Sequence, residues 1–371
     1  MDAFFASVEL LAYPELRGLP VVVGGSRASE PVVRPDGTRV FSRLRSYAGR
    51  GVATTSTYEA RKLGVFSAMG LMKSAKLAPD AILLPANFAA YRHYSRLFKQ
   101  AVREITPHIE DRGIDEIYVE LTDMPEDSRT LALRIKAAVA EATGLCCSIG
   151  ISPNKLLSKI ASDLDKPDGL TMIGPGDLQR RIWPLPASKI NGIGPKSYLK
   201  LVDLGIETIG QLARASPELL QKHFGLTYAQ WLLNVAHGLD DRPVAIHSEP
   251  KSISRETTFD RDLHVVRDRA ELSSVLVHLC ERLEDDLKRK GYAGRTIGIK
   301  LRFDDFRTVT RDVTLDAPAA DAAAILSAAR AGLRRVPMTH RLRLLGVRIG
   351  ALVPCAEDDA RSCRGTQLSL Y

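Results

Sequence analysis

The chain has 371 residues, of which 45% are hydrophobic and 26% charged, with a formal net charge of +8. That length exceeds one ordinary core and predicts two to four domains of a soluble protein. It holds no run of about 18 apolar residues, so no membrane span is expected, and no basic region leading into an apolar core, so no signal peptide. Five cysteines stand at 146, 147, 280, 355 and 363 with no C-x-x-C spacing. This predicts reduced thiols in a cytoplasmic protein and argues against a structural zinc site. The positive excess favours a polyanionic partner, nucleic acid or an anionic surface alike.

The first nine residues, Met1-Asp2-Ala3-Phe4-Phe5-Ala6-Ser7-Val8-Glu9, set an acid beside two aromatics with no strand before them. Residues 19–25 read as a short apolar strand closed by glycines. Over 26–51 the composition shifts: Arg27, Arg34, Arg39, Arg43, Arg45 and Arg50 face only Glu30 and Asp36. Pro35-Asp36-Gly37 is a turn, so this is an extended basic loop or hairpin. A solvated insertion and a nucleic-acid contact explain it equally. Residues 52–64 run from a strand into a helix, with Ser56 or Thr57 as N-cap and Gly64 as C-cap. Thr55, Tyr58 and Arg61 there bring a hydroxyl, a ring and a guanidinium together, a set suited to a triphosphate, although capping and surface pairing explain the same residues.

Residues 87–105 carry Phe88, Tyr91, Tyr94, Phe98, Val102 and Ile105 at helical spacing, which predicts core rather than a base-stacking platform. Gly113-Ile114-Asp115-Glu116-Ile117-Tyr118-Val119-Glu120-Leu121 alternates as a half-buried strand headed by two acids. Neighbouring strand residues point to opposite faces, so Asp115 and Glu116 converge on one ion only at a bend or strand entry. Held that way they suit a hard cation such as Mg²⁺; a strand with acids at its solvated end is the alternative. Leu131, Ile135, Val139 and Ala142 mark a helix stopping at Gly144, residues 145–151 a strand, and Ser152-Pro153 a helix start with Pro at its first position. Residues 87–151 thus read α, β, α, β on one sheet, most of a ferredoxin-like unit provided one further strand lies just before Asp2. Over 154–165, Leu156, Leu157, Ile160 and Ala161 point inward and Lys155, Lys159 and Asp163 outward. The turn that follows presents Lys166, either a surface lysine at a helix C-terminus or a triphosphate ligand.

Residues 175–240 read as short helices, in which Ile190-Asn191-Gly192-Ile193-Gly194-Pro195-Lys196 fits a helix-hairpin-helix that offers backbone N–H groups to phosphate. Residues 238–250 are a polar, proline-bounded linker. Strands at 252–259, 295–303, 307–315 and 341–352 alternate with helices carrying Leu272, Leu276, Leu279, Leu283 and Leu287, and Ile325, Leu326, Ala329 and Leu333, giving βαββαβ. Lys300, Arg302, Arg307, Arg311, Arg341, Arg343 and Arg348 along those strands suggest a sheet edge laid against phosphates. The polar tail from 354 ends in Gln367-Leu368-Ser369-Leu370-Tyr371, a pattern that fits a partner's groove or a frayed end.

Together these motifs resemble a Y-family translesion DNA polymerase of the polymerase IV type, over nearly the whole chain and in the family's order. The resemblance implies an α+β right hand. Its ferredoxin-like palm spans 1–10 and 86–170, small fingers 11–85, and a helical thumb with the hairpin 171–240. A linker (241–250), a βαββαβ little finger (251–353) and a flexible tail (354–371) complete it. It implies that Asp115 and Glu116, with the Met1 backbone carbonyl, hold two Mg²⁺ ions for phosphoryl transfer to a primer 3′-OH. Phe5 would be the steric gate against a ribonucleotide 2′-OH, and Thr55, Tyr58, Arg61 and Lys166 would bind the incoming dNTP. Gly192, Gly194, Lys196, Lys300 and Arg302 would contact primer-template DNA, and Gln367, Leu368, Leu370 and Tyr371 the replicative sliding clamp. The expected enzyme is a low-fidelity monomer in the cytoplasm.

Two departures stand out. The family's pattern is Asp-x-Asp-x-Phe-(Phe/Tyr); aligned here, Asp2 is its second Asp, so the first metal ligand and its strand are missing from the chain as written. The expectation is that the true start lies upstream, with a catalytically silent DNA- and clamp-binding protein as the alternative. Gly113 also stands where the family commonly has Ser.

Overall fold

The computed structural model describes residues 1–25 and 27–355. The chain divides into two compact units, Met1–His247 and Ser248–Tyr371.

In the first unit α1 (Phe4–Ala12) leads into β1 (Val21–Gly24). A hairpin of β2 (Val32–Val33) and β3 (Arg39–Val40) follows, turning at Gly37 with φ of 82°. β4 (Ser42–Arg43), β5 (Ala53–Ser56), α2 (Tyr58–Lys62), α3 (Leu71–Leu77) and β6 (Ile82–Leu84) complete a four-stranded sheet ordered β4-β6-β1-β5. The basic stretch is therefore a hairpin that returns the chain to this sheet. Of the two candidate caps for α2, Thr57 is the one used: its side chain accepts from the Ala60 N–H.

α4 (Phe88–Arg103) is capped by Asn87 and buries Tyr91, Phe98 and Val102. Phe88, read as core, is 47% exposed, because it sits in the first turn where the helix face opens to solvent. β7 (Ile109–Asp111) and β8 (Ile117–Val119) form one antiparallel pair. α5 (Ser128–Thr143) is capped by Asp127, which accepts from the Arg129 and Thr130 N–H groups, and closes on Gly144 at φ of 68°. β9 (Ile149–Ile151), α6 (Lys155–Leu164) and β10 (Leu170–Met172) make a parallel crossover. The expected single sheet over 87–151 is thus two separate two-stranded pieces, β7-β8 and β10-β9. The expected strand at 145–151 shrinks to three residues, and α6 starts at Lys155 under an Asn154 cap that accepts from Leu157 N–H, not at Pro153. An Asn side chain satisfies a free helix N–H, which outweighs the preference for Pro at the first turn. α7 (Pro195–Val202), α8 (Ile209–Ala213), α9 (Pro217–Phe224) and α10 (Leu226–Ala236) then pack around Leu201, Leu212, Leu220 and Leu232.

The second unit runs β11 (Ser252–Leu263), α11 (Arg269–Lys290), β12 (Tyr292–Phe303), β13 (Thr308–Ala319), α12 (Ala322–Arg334) and β14 (Leu342–Pro354). Its sheet is ordered β11-β14-β12-β13, all antiparallel. Strand alternation puts Ile297, Ile299, Leu301 and Phe303 against the leucine stripe of α11 and against Ile325 and Ala329 of α12. The opposite strand positions carry Lys300, Arg302 and Arg348.

Candidate active site

Residues 113–115 form a bend immediately before β8, so the acid pair stands at a strand entry, the one place where adjacent side chains can converge. Lys99 fixes this bend from α4: its Nζ donates to both Asp111 carboxylate oxygens at 2.8 Å and to the Gly113 carbonyl at 2.6 Å. The Met1 ammonium donates to the Asp115 carbonyl at 2.8 Å, and Lys159 Nζ lies 3.2 Å from Glu116 Oε2. Burial works against the Lys159 charge, but Asp163 and Glu116 outweigh it and raise its pKa, so the ammonium persists beside the acids.

A cleft of about 770 Å³ opens here, lined by Met1, Asp115, Glu116, Lys159 and Lys166 among others. Its two walls are Ile117–Thr122, from β8 onward, and Cys147–Asn154, around β9, each strand having a partner on its far side only. Asp2 supplies no further carboxylate to it. Asp2 is 2% exposed, with both carboxylate oxygens taking the Ser148 hydroxyl at 2.9 Å and one also taking the Asp168 N–H at 2.8 Å. Among the described residues no cluster of three or more His, Cys, Asp or Glu side chains could hold a metal. Two carboxylates and a backbone carbonyl are nonetheless a hard-oxygen set, of the kind that suits Mg²⁺ and leaves positions for water and phosphate.

The expected triphosphate residues fall into two groups. Lys166 lines the cleft, its Nζ 2.6 Å from Asp163. Thr55 is buried in β5, while Tyr58 and Arg61 sit on α2, outside the cleft lining. The Arg61 guanidinium stacks 4.8 Å from the Tyr58 ring centroid, and its Nε donates to the Ser56 carbonyl at 3.2 Å. Tyr58 is pushed up to about 12 by burial first and by the Asp2 charge next, and its hydroxyl is buried with no hydrogen-bond partner. Among the described residues nothing pairs with that hydroxyl, and a polar ligand there would satisfy it.

Phe5 is half-buried on α1, its ring stacked on Tyr91 at 4.2 Å between centroids and 14° between planes. Phe88 meets both rings edge-on, at 5.8 Å and 5.6 Å.

In the hairpin, Gly192 has φ of 111° and a Cβ there would meet Trp231 at 2.7 Å, so only glycine fits. Gly194 caps α7 with Pro195 at its first turn, and Lys196 is exposed there. In the second unit Lys300 pairs with Glu256 at 2.8 Å, and Arg302 Nε donates to the Thr308 hydroxyl at 3.1 Å. Gln367, Leu368, Leu370 and Tyr371 lie outside the described residues.

Lys155 and Lys159 are corrections: both are expected outward, yet Lys155 is 9% exposed. Its Nζ donates to Glu110 Oε2 at 2.6 Å and to the Pro243 carbonyl at 2.7 Å, while Glu110 also accepts the Ala245 N–H at 2.8 Å. The acids of β7 and of the bend before β8 draw in two lysines one helical turn apart; that i, i+4 spacing is the only trace of it in the sequence.

Residues 1–163 match the impB/mucB/samB family and residues 250–369 its C-terminal domain, while 185–239 match the helix-hairpin-helix motif of DNA polymerase eta and Rev1. This chain belongs to the impB/mucB/samB family. It is 39% identical to DNA polymerase IV of Alkalilimnicola ehrlichii, over 100% of this chain and 97% of that protein. It is 36% identical to DNA polymerase IV of Neisseria meningitidis, over 95% of each. Among solved structures, a Y-family DNA polymerase chimera, Dbh-Dpo4(243-245)-Dbh, superposes with a TM-score of 0.78 at 25% identity, over 95% of this chain and 97% of that one. An insertion ternary complex of Dbh DNA polymerase gives 0.63 at 25% identity, over 96% and 98%. The resemblance drawn from the motifs and the multidomain α+β architecture are thereby borne out. Family membership carries with it a divalent-metal-dependent nucleotidyltransferase acting in DNA damage tolerance. Among the described residues no helix is long and apolar enough to cross a membrane.

Proposed function

We propose that this chain is a template-directed DNA polymerase that extends a primer 3′-OH with dNTPs and carries synthesis across damaged templates at low fidelity. The observation that carries the reading is the acid pair at the head of β8, in one cleft with Lys166 and Lys159. Asp115 and Glu116, with the Met1 carbonyl, would hold two Mg²⁺ ions, which when bound polarise the phosphates and neutralise the charge of in-line transfer. The protein's own side chains do the rest. Lys166 and Arg61 take phosphate charge, Tyr58 offers its unpartnered hydroxyl, Thr55 adds a hydroxyl from β5, and Phe5 presents a ring where a ribose 2′-oxygen would fall. The primer 3′-oxygen gives up its proton to water and bonds to the α-phosphorus as the bond to the pyrophosphate oxygen breaks. Gly192, Gly194 and Lys196 offer backbone N–H groups and charge to the duplex backbone, and Lys300 and Arg302 add charge from the second unit. The last five residues dock on a sliding clamp, and the enzyme works as a cytoplasmic monomer.

The alternative reading is a catalytically silent DNA- and clamp-binding protein, and the place of Asp2 is what motivates it. The Asp2 carboxylate is spent on Ser148 and Asp168, and among the described residues no cluster of three or more His, Cys, Asp or Glu side chains could hold a metal. Primer extension with Mg²⁺ and dNTPs decides between them: binding of primer-template without extension selects the silent protein. Deleting 367–371 should weaken clamp binding and leave distributive synthesis intact, and unchanged clamp affinity would refute the tail's role.

A further inference from the structure

Glu9 is 6% exposed on α1 and stands outside the cleft lining. Its carboxylate accepts a hydrogen bond from the hydroxyl of Tyr91, itself fully buried on α4. Glu9 is four residues after Phe5 on the same helix, so both side chains leave one face of α1 and meet the same tyrosine. Phe5 covers the Tyr91 ring face at 4.2 Å; Glu9 holds its hydroxyl end. The two contacts differ in kind. Aromatic stacking is broad and lets rings slide past one another, whereas a hydrogen bond to a carboxylate is short and directional. The stack alone therefore leaves the lateral offset of the Phe5 ring on Tyr91 loosely defined, and the Glu9 bond, made from the helix that carries Phe5, sets that offset by tying Tyr91 to α1.

We infer that Glu9 is a positioning residue for sugar selection, acting through the Tyr91 hydroxyl on the ring against which Phe5 rests. This rests on the reading of Phe5 as the gate. The carboxylate touches no nucleotide; it fixes the floor beneath the group that does. A gate works by clearance, and small misplacements of a contacting group have large effects.

The test is equilibrium binding of dCTP and CTP to the protein bound to primer-template DNA in Ca²⁺, read as the ratio of the two dissociation constants. Tyr91→Phe and Glu9→Leu should each lower the preference for dCTP about tenfold, chiefly by tightening CTP. Glu9→Gln, whose amide oxygen still accepts from Tyr91, should keep the native ratio. Adding Glu9→Leu to Phe5→Ala should change the ratio no further than Phe5→Ala alone, an outcome that mere helix packing does not produce. A native ratio in both Tyr91→Phe and Glu9→Leu, or additivity with Phe5→Ala, overturns the inference while leaving Phe5 as the gate. An unchanged ratio in Phe5→Ala overturns the gate reading and the inference with it. Tyr91→Phe, nearly isosteric, keeps the test decisive if Glu9→Leu folds poorly.

Discussion

Lys155→Met removes one member of a buried ion pair that pins the segment after α10 to β7 and α6 within the first unit. Lys155 and Glu110 side chains are 10% and 7% exposed, with Nζ and Oε2 2.6 Å apart. Stripping one partner from such a pair leaves an uncompensated buried charge and costs roughly 3–5 kcal/mol. Glu110 keeps the Ala245 N–H at 2.8 Å and Arg112 at 3.3 Å, which places the cost at the lower end, roughly 3 kcal/mol. For a unit the size of Met1–His247 each kcal/mol moves the melting temperature about 2–4 °C, so the expected fall is about 6–12 °C. Differential scanning calorimetry of the native protein and of Lys155→Met measures it. The double variant Lys155→Met, Glu110→Leu removes both charges, and the backbone groups it frees belong to Pro243 and Ala245, exposed residues within reach of water. It should therefore regain most of the loss. A single variant melting within about 1 °C of native, or a double variant less stable than the single, would refute the reasoning.

The same pair gives a pH dependence. Burial alone would raise the Glu110 carboxyl, yet Lys155 and the Ala245 N–H outweigh it and hold it below the ordinary glutamate range. A depressed folded-state pKa means that the contribution is complete above the unfolded value and is lost as pH falls through the folded one. Acid titration of thermal stability should thus fall more steeply below about pH 4.5 in the native protein than in the double variant; parallel curves would count against it. Phe5→Ala should raise ribonucleotide incorporation at least about tenfold, near 1.4 kcal/mol of lost discrimination, and an unchanged sugar ratio removes the gate role. Lys196→Ala should weaken DNA binding alike across sequences and lower the log–log salt slope by about 1, whereas a native slope would place Lys196 off the phosphates.

The elements legible in the sequence are those whose pattern is long. The α11 stripe of Leu276, Leu279, Leu283 and Leu287 repeats over a 22-residue helix, and the alternation of β12 runs from Ile297 to Phe303, so packing has many positions to agree with. β7 spans only Ile109–Asp111, too short for any period to emerge, and the division of the palm strands into two pairs depends on which edges meet, a non-local fact. At the site, Asp115 and Glu116 alone also fit a solvated strand end, and it is the flanking motifs that make the pair readable. Phe5 and Lys166 are readable through the family motif. Lys155 is not: on a helix wheel it faces solvent, and only the fold of β7 and the returning segment at 243–245 buries it. The Glu9–Tyr91 contact spans 82 positions, which no local pattern announces.

The central claim, that the acid pair before β8 is a working two-metal polymerase centre, is tested most directly by primer extension on a defined template in Mg²⁺ with the native chain and with Glu116→Gln. A working centre gives templated extension by the native chain and loses it in Glu116→Gln with primer-template affinity retained. Native protein that binds primer-template but adds no nucleotide, or Glu116→Gln that extends as well as native, would contradict it.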